Sequence, residues 1–345
     1  MKFNDEQLRV SVNLRQYYDA WIAAEREMRS LAYRLDWKTR GEKDYLYKIV
    51  DRAGNGTSLG PRSAKTEALF EHFLLQKTAA KERLVFSHAS LDTTCRLYRA
   101  LRLGSISSPA AAILREADAR EMLGASLLVV GTNAMAAYEI EAASRFALGM
   151  DATEDFDLAW SDGKATFNLG NLVGNSDSNS VGAQLLGLLK AVDATYTVNQ
   201  ERPFQARNKN AYEVEILLAP SQLKNFPNNE PMRPIALPEQ EWLLQGTPVD
   251  QVVCGRDATP ARIVAPDPRW FALHKLWLAD QSKRVATKRP KDKKQGEALL
   301  SIISMEMPQY PLDEAFEALL PEELKPYFLR WKDSAVPHSS PTRRW

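Results

Sequence analysis

Apolar residues recur every third or fourth position from residue 10 to residue 35: Leu14, Tyr17, Tyr18, Trp21, Ala24, Met28, Leu31 and Leu35. That period matches one face of an amphipathic helix. The pattern breaks over residues 44–60, where YLYKIV reads as a strand and AGNGTSLGP, with three glycines and a proline, as turn punctuation. Helical periodicity returns over 64–80, 82–101 and 108–122. Leu69, Phe70, Phe73 and Leu74 give the first of these its apolar face, and Gly104 and Pro109 separate the later two. Residues 1–115 are therefore expected to be a mainly helical region.

From residue 126 the pattern changes. LLVVG is a short apolar run ending in glycine, followed by a helical stretch, TNAMAAYEIEAASRF, and then by DFDLAW, an alternating strand. Residues 180–192 read as helix, and ATYTVN, PFQARN and AYEVEILLAP as strands separated by turns. Residues 116–225 thus have the size and mixture of an α/β domain. Beyond Pro220 come a loop-rich stretch, two short strands (QVVCGR and ARIVAP) and helices over 268–287, 290–304 and 311–331. The expected class is α+β: a mixed-sheet core flanked by a helical amino-terminal region (1–115) and a carboxy-terminal region (226–345) of short strands, then helices.

Composition narrows the function classes. The formal net charge is +1, so no whole-chain field points to nucleic acid or membrane, and any basic surface must be local. Cys95 and Cys254 lie far apart, and with four scattered histidines they give neither a zinc pattern nor a disulfide framework. The amino terminus lacks the apolar core of a signal peptide, and no apolar run is long enough to span a membrane. A cytoplasmic protein is expected.

The chemistry concentrates in Gly131-Thr132, Asp155-Phe156-Asp157 and the strand AYEVEILL. Positions i and i+2 of a strand share a face, so Asp155 and Asp157 present two carboxylates together while Phe156 and Leu158 face the core. Glu213 and Glu215 repeat the arrangement, and if that strand lies beside DFDLAW, Glu215 completes a three-carboxylate cluster. Such a cluster suits two-metal phosphoryl chemistry. A glycine at a strand-to-helix turn lets a phosphate reach backbone N–H groups, with the Thr132 hydroxyl as a further donor. Taken singly, Asp-x-Asp is more often a solvated strand edge, and Gly-Thr a plain helix cap.

In this order, G-T-N-A-x-x-A-Y-E, T-E-D-F-D-L and Y-E-V-E-I-L resemble the DNA polymerase-β-like nucleotidyltransferase superfamily, and most nearly a bacterial family of nucleotidyltransferase-fold proteins. SLGPRS (Ser58–Ser63) and FALHKLWLA are similar to further stretches of that family. The resemblance implies a nucleotidyltransferase-type fold in which Asp155, Asp157 and Glu215 bind Mg²⁺ or Mn²⁺ and Gly131 and Thr132 contact the phosphates of a nucleoside triphosphate. It implies transfer of a nucleoside monophosphate to a hydroxyl of RNA (tRNA-like) or protein. The chain departs from the commoner pattern in having Glu for Asp as the third acid and Thr after Gly131. A catalytically weak or inactive nucleotide-binding protein is the alternative.

Lys275 resembles a triphosphate-binding lysine of toxin-type nucleotidyltransferases, whose partners would include an antitoxin or further copies of the chain. The competing expectation is a solvated helix lysine. Residues 283–294, KRVATKRPKDKK, form a basic run that either tracks a nucleotide or RNA backbone or is a solvated loop, with Asp292 structural within it. The glycines of Gly54–Gly60 mimic a phosphate loop but precede Pro61-Arg62 where lysine is needed, so they read as a turn, with Arg62 an outlying anion contact.

Overall fold

Two long helices dominate the amino-terminal third. The structure, a computed structural model, describes residues 1–146, 155–160, 181–225 and 230–335, without the side chains of Asp155, Val181, Asn225 and Ala335. Helix α1 (Asp5–Ser30) starts on a capping box, in which the Asn4 side chain accepts from the Gln7 amide and Gln7 returns the bond. It ends five residues sooner than its spacing predicts. Leu31 and Leu35 keep the helical interval, yet Leu35 already belongs to strand β1 (Arg34–Arg40), which pairs antiparallel with β2 (Lys43–Ile49). Gly41, at φ +63°, makes the intervening turn. The supposed turn at 53–61 is largely a third strand, β3 (Gly56–Pro61), antiparallel to β2. A side chain on Gly56 would strike the Lys48 carbonyl, which is why glycine admits a strand there.

The two helices expected over 64–101 are one, α2 (Ala64–Ala100), which packs along α1. Its amino-terminal half helps bury a small apolar cluster of Leu31, Leu35, Leu46, Phe73 and Ala80. Arg62 serves that region, paired to Glu67 and Asp44 and lying over Trp37. Strand β4 (Ser105–Ile106) and α3 (Ser108–Ala119), capped by Ser107, complete this part.

The central sheet follows. Strands β5 (Leu127–Val130), β6 (Asp155–Trp160), β7 (Thr197–Val198), β8 (Gln205–Arg207), β9 (Glu213–Leu218) and β10 (Ile235–Ala236) form it in the order β5-β6-β9-β8-β7, with β10 added to β9. Strand β6 runs antiparallel to β5 and parallel to β9. A short 3₁₀ turn (Gly131–Ala134) leads from β5 into α4 (Met135–Glu141), and α5 (Val181–Val192) precedes β7.

After α6 (Gln240–Leu243), β11 (Val249–Gly255) and β12 (Pro260–Ala265) make a second sheet with β4. Helices α7 (Pro268–Asp280), α8 (Arg289–Glu306), α9 (Glu314–Leu319) and α10 (Lys325–Ala335) follow. The last two replace the single helix expected over 311–331, because the backbone turns extended at Leu320 ahead of Pro321. The class is α+β, as expected. A main apolar core runs continuously from Phe3 to Phe328. Asp118 ties α1, α3 and β12 together within it, accepting from Tyr18, Arg26 and Arg262 at 2.9–3.0 Å.

Candidate active site

Burial alternates along β9. Val214, Ile216 and Leu218 are inside, while Glu213, Glu215 and Leu217 are half-exposed and line a cleft of about 880 Å³. On β6, Phe156 and Leu158 are buried and Asp157 reaches the same cleft. Register decides which acids meet: Asp157 stands opposite Glu215, and Asp155 opposite Glu213. Neighbouring strands lie about 4.8 Å apart, so paired carboxylates on one face are within reach of a shared cation. The side chain of Asp155 lies outside the described residues.

A glutamine absent from the sequence-based site organises the two glutamates. Gln205, on β8 and only 3% exposed, donates through Nε2 to Glu213 at 3.1 Å and to Glu215 at 3.0 Å. Its Oε1 accepts from the Asn199 side chain at 2.8 Å, which fixes the amide with its NH₂ toward the acids. The only sequence signal was parity: Gln205 pairs with Glu215 across β8 and β9.

Gly131 sits at φ +70°, in the left-handed region that favours glycine. A Cβ there would lie 2.2 Å from Asp157 Oδ2 and 3.2 Å from Asp157 Cβ. The missing side chain is what lets the turn close over the carboxylate. Thr132 follows in the cleft wall and accepts a long, 3.5 Å bond from Gln295 of α8.

A family model described as Nucleotidyltransferase matches residues 108–321, well over half of the chain. The chain belongs to the nucleotidyltransferase family. Among curated proteins and among solved structures nothing matches it. The matched span covers the acidic sheet, the Gly131 turn, and helices α7 and α8.

In this member of the family, α7 and α8 close the cleft opposite the sheet. They approach closely because Gly296 of α8 carries no side chain; a Cβ would lie 2.7 Å from the Ala272 carbonyl oxygen and from Leu276 Cγ. That contact brings Asp292 to Lys275, at 2.9 Å, and Arg284 reaches the same carboxylate at 2.7 Å. Lys275 is 2% exposed, so the expectation of a solvated helix lysine is wrong. Its neighbour in sequence, His274, sits against Trp242 and Trp277, so this stretch of α7 is packed rather than wet. Lys275 lines the cleft, but its ammonium is held by Asp292 rather than projecting as a free cation. Burial draws the Lys275 pKa below the ordinary lysine range against the pull of Asp292. For Asp292 burial acts upward, yet the Lys275 charge and the bonds from Arg284 and Lys275 hold it below the usual carboxylate range.

The basic run 283–294 is divided: Lys283, Lys288, Lys293 and Lys294 are exposed, and others of its charges are tied to the fold or line the cleft. Arg284 is tied to Asp292, Arg289 donates to the Gln281, Ser282 and Arg284 carbonyls, and Lys288 and Lys291 line the cleft. Two further groups belong to the wall that the sequence did not reveal, Gln240 and His274. Both are buried, and Gln240 Oε1 and His274 Nδ1 have no hydrogen-bond partner. Burial pushes the His274 ring down to about 3, with Lys275 and Arg284 acting in the same direction. The imidazole is therefore neutral at physiological pH.

Mg²⁺ or Mn²⁺ prefers hard oxygen ligands. Among the described residues no group of three His, Cys, Asp or Glu side chains is placed to hold a metal ion. Asp157 and Glu215, in register, supply two half-buried carboxylates of the right chemistry, and Asp155 stands two residues before Asp157 on the same strand. Those carboxylate oxygens are donors of the kind such an ion takes. Among the described residues no helix is long and apolar enough to cross a membrane.

Proposed function

We propose that the chain is a metal-dependent nucleotidyltransferase of the DNA polymerase-β-like type, moving a nucleoside monophosphate from a nucleoside triphosphate to an acceptor hydroxyl. The observation that carries this reading is the pairing of Asp157 with Glu215 beneath the Gly131–Thr132 turn, in a cleft walled by α7 and α8. Asp155, Asp157 and Glu215 would hold Mg²⁺ or Mn²⁺, which supplies charge neutralisation at the phosphates and a more acidic acceptor hydroxyl. Gly131 lets the triphosphate approach backbone N–H groups, and the Thr132 hydroxyl donates to it. The acceptor oxygen bonds to the α-phosphorus as the bond to the β-phosphate bridging oxygen breaks, and pyrophosphate leaves. Glu215, oriented by Gln205, takes the hydroxyl proton. Lys275 contributes field rather than contact: its charge is shared with Asp292 at the cleft wall.

Acceptors on RNA or on protein both suit this chemistry, as does a toxin-like role with an antitoxin partner. A cytoplasmic setting belongs to the same reading. A second reading, a nucleotide-binding protein without turnover, is favoured by Gln205 occupying both Glu213 and Glu215. Incubation with each α-labelled nucleoside triphosphate and an RNA-plus-protein extract separates the two. Label transferred with Mg²⁺ and lost with EDTA supports the enzyme. Binding of Mg²⁺-nucleotide with no transfer to either fraction contradicts it.

A further inference from the structure

A second cavity, of about 790 Å³, shares Thr132 and Arg256 with the acidic cleft. Four arginines line it, and they come from separate parts of the chain. Arg99 lies in the last turn of α2 and Arg102 just beyond it, Arg145 follows α4, and Arg256 lies in the turn between β11 and β12. One carboxylate, Glu139, faces them and accepts from the Phe146 amide at 2.7 Å. This is a local concentration of positive charge in a chain whose net charge is +1.

Three of the four arginines are not committed to the fold. Among the described residues Arg99, Arg102 and Arg256 make no ion pair, whereas Arg96, on the preceding turn of α2, is bound to Asp92 at 2.7 Å. Arg145 donates to the Leu101 carbonyl, and its buried Nε has no partner. Arg102 also sits at φ +55°, just past the helix end, where glycine is preferred. A non-glycine residue held in that backbone conformation at a cavity wall is a feature expected of a binding residue.

Guanidinium forks match phosphate oxygens, and several of them together call for a polyanion. Leu103, Ile106 and Met135 give the cavity an apolar floor and Phe146 an aromatic wall. Those surfaces suit the faces of nucleobases, whereas a run of acidic side chains offers them no apolar face. The volume lies within the roughly 300–1,000 Å³ of small-ligand sites, which admits a strand end and not a duplex. We propose that this cavity binds the terminal nucleotides of a single-stranded RNA acceptor, with its phosphates on Arg99, Arg102 and Arg256 and its terminal hydroxyl delivered past Thr132. The assignment rests on the nucleotidyl-transfer reading of the adjoining cleft.

The test is fluorescence anisotropy of a labelled short single-stranded RNA across a salt series, with the parent and the double variant Arg99→Ala/Arg102→Gly. The variant should bind at least about tenfold more weakly, and its slope of log K against log salt should be shallower by about 1.4, two phosphate contacts at about 0.7 each. Its melting temperature should equal or exceed the parent's, because glycine relieves position 102, and its stabilisation by Mg²⁺-nucleotide should be unchanged. Equal affinity and equal slope in the two proteins would overturn the proposal. So would a polyglutamate that displaces the RNA as well as unlabelled RNA does, since that marks an acidic protein surface. If the parent gains no stability from Mg²⁺-nucleotide while the variant still loses RNA binding, the nucleotide site is wrong and the RNA site stands.

Discussion

His274 gives the cleft wall a pH signature that can be worked through from the structure. Its ring packs beside both Trp242 and Trp277, with centroids 5.5 and 6.1 Å away, and its pKa falls from the ordinary 6.5 to about 3. Burial is the main cause, with the Lys275 and Arg284 cations adding to it and Asp292 opposing. The groups facing it are therefore two cations and one anion, and the charged ring is disfavoured. Below pH 6.5 the unfolded chain takes up a proton that the folded chain refuses, so stability falls as the pH drops toward 3. At about 1.4 kcal/mol per pH step, the loss between pH 6.5 and 5 is about 2 kcal/mol. The depressed carboxylates Glu116, Asp250 and Asp292 lose their contribution only at lower pH, which leaves this window to histidine. The perturbation is His274→Phe, which keeps a flat ring against the two tryptophans and removes a nitrogen that has no partner. Urea denaturation at pH 7 and at pH 5 gives the unfolding free energy of both proteins. The variant should lose about 2 kcal/mol less than the parent between the two. An equal loss in the two proteins would refute the claim that His274 is buried neutral.

Lys275→Met should cost about 3 kcal/mol in the same assay, the low end for a broken buried pair, because Arg284 still neutralises Asp292; a change below about 0.5 kcal/mol would return Lys275 to the surface. Gly131→Ala should cost about 1–2 kcal/mol through its left-handed backbone and reduce Mg²⁺-nucleotide affinity at least about tenfold, since its methyl group displaces Asp157; calorimetric titration showing parent-like affinity would contradict that geometry. Gln205→Leu should lower kcat and shift its pH profile, because Glu215 loses its oriented donor, and Gln205→Asn should recover little; an unchanged profile would remove Gln205 as a positioning residue.

The parts of the site that follow a strand's two-residue period were legible in the sequence. DFDLAW and YEVEIL declare their inner and outer faces through Phe156, Leu158, Val214 and Ile216, and β6 and β9 are neighbours. What sequence does not carry is the neighbourhood across chain segments. Lys275 has ordinary helical surroundings in sequence, and only the Gly296 contact between α7 and α8 buries it against Asp292. The same holds for Gln205, Gln240 and His274, whose meaning depends on partners they have or lack. The amino-terminal errors have a local cause. Leu31 and Leu35 keep a helical interval across a helix end, while Leu35 and Trp37 satisfy strand alternation equally well. Gly56 and Gly60 look like loop residues, and the close approach of β2 makes glycine the residue that fits a strand at Gly56.

The central claim is that Asp157 serves a metal and a nucleotide rather than the fold. Thermal melting of Asp157→Asn against the parent, in EDTA and again with Mg²⁺ and nucleoside triphosphate, tests it most directly. Asp157, Glu215 and Glu213 gather negative charge in one cleft, so neutralising one should relieve repulsion when metal is absent. The variant should melt at or above the parent in EDTA and lose most of the stabilisation that Mg²⁺-nucleotide confers on the parent. Melting well below the parent in EDTA, with an undiminished response to Mg²⁺-nucleotide, would show that Asp157 holds the fold together and that the acidic cleft is not the nucleotide site.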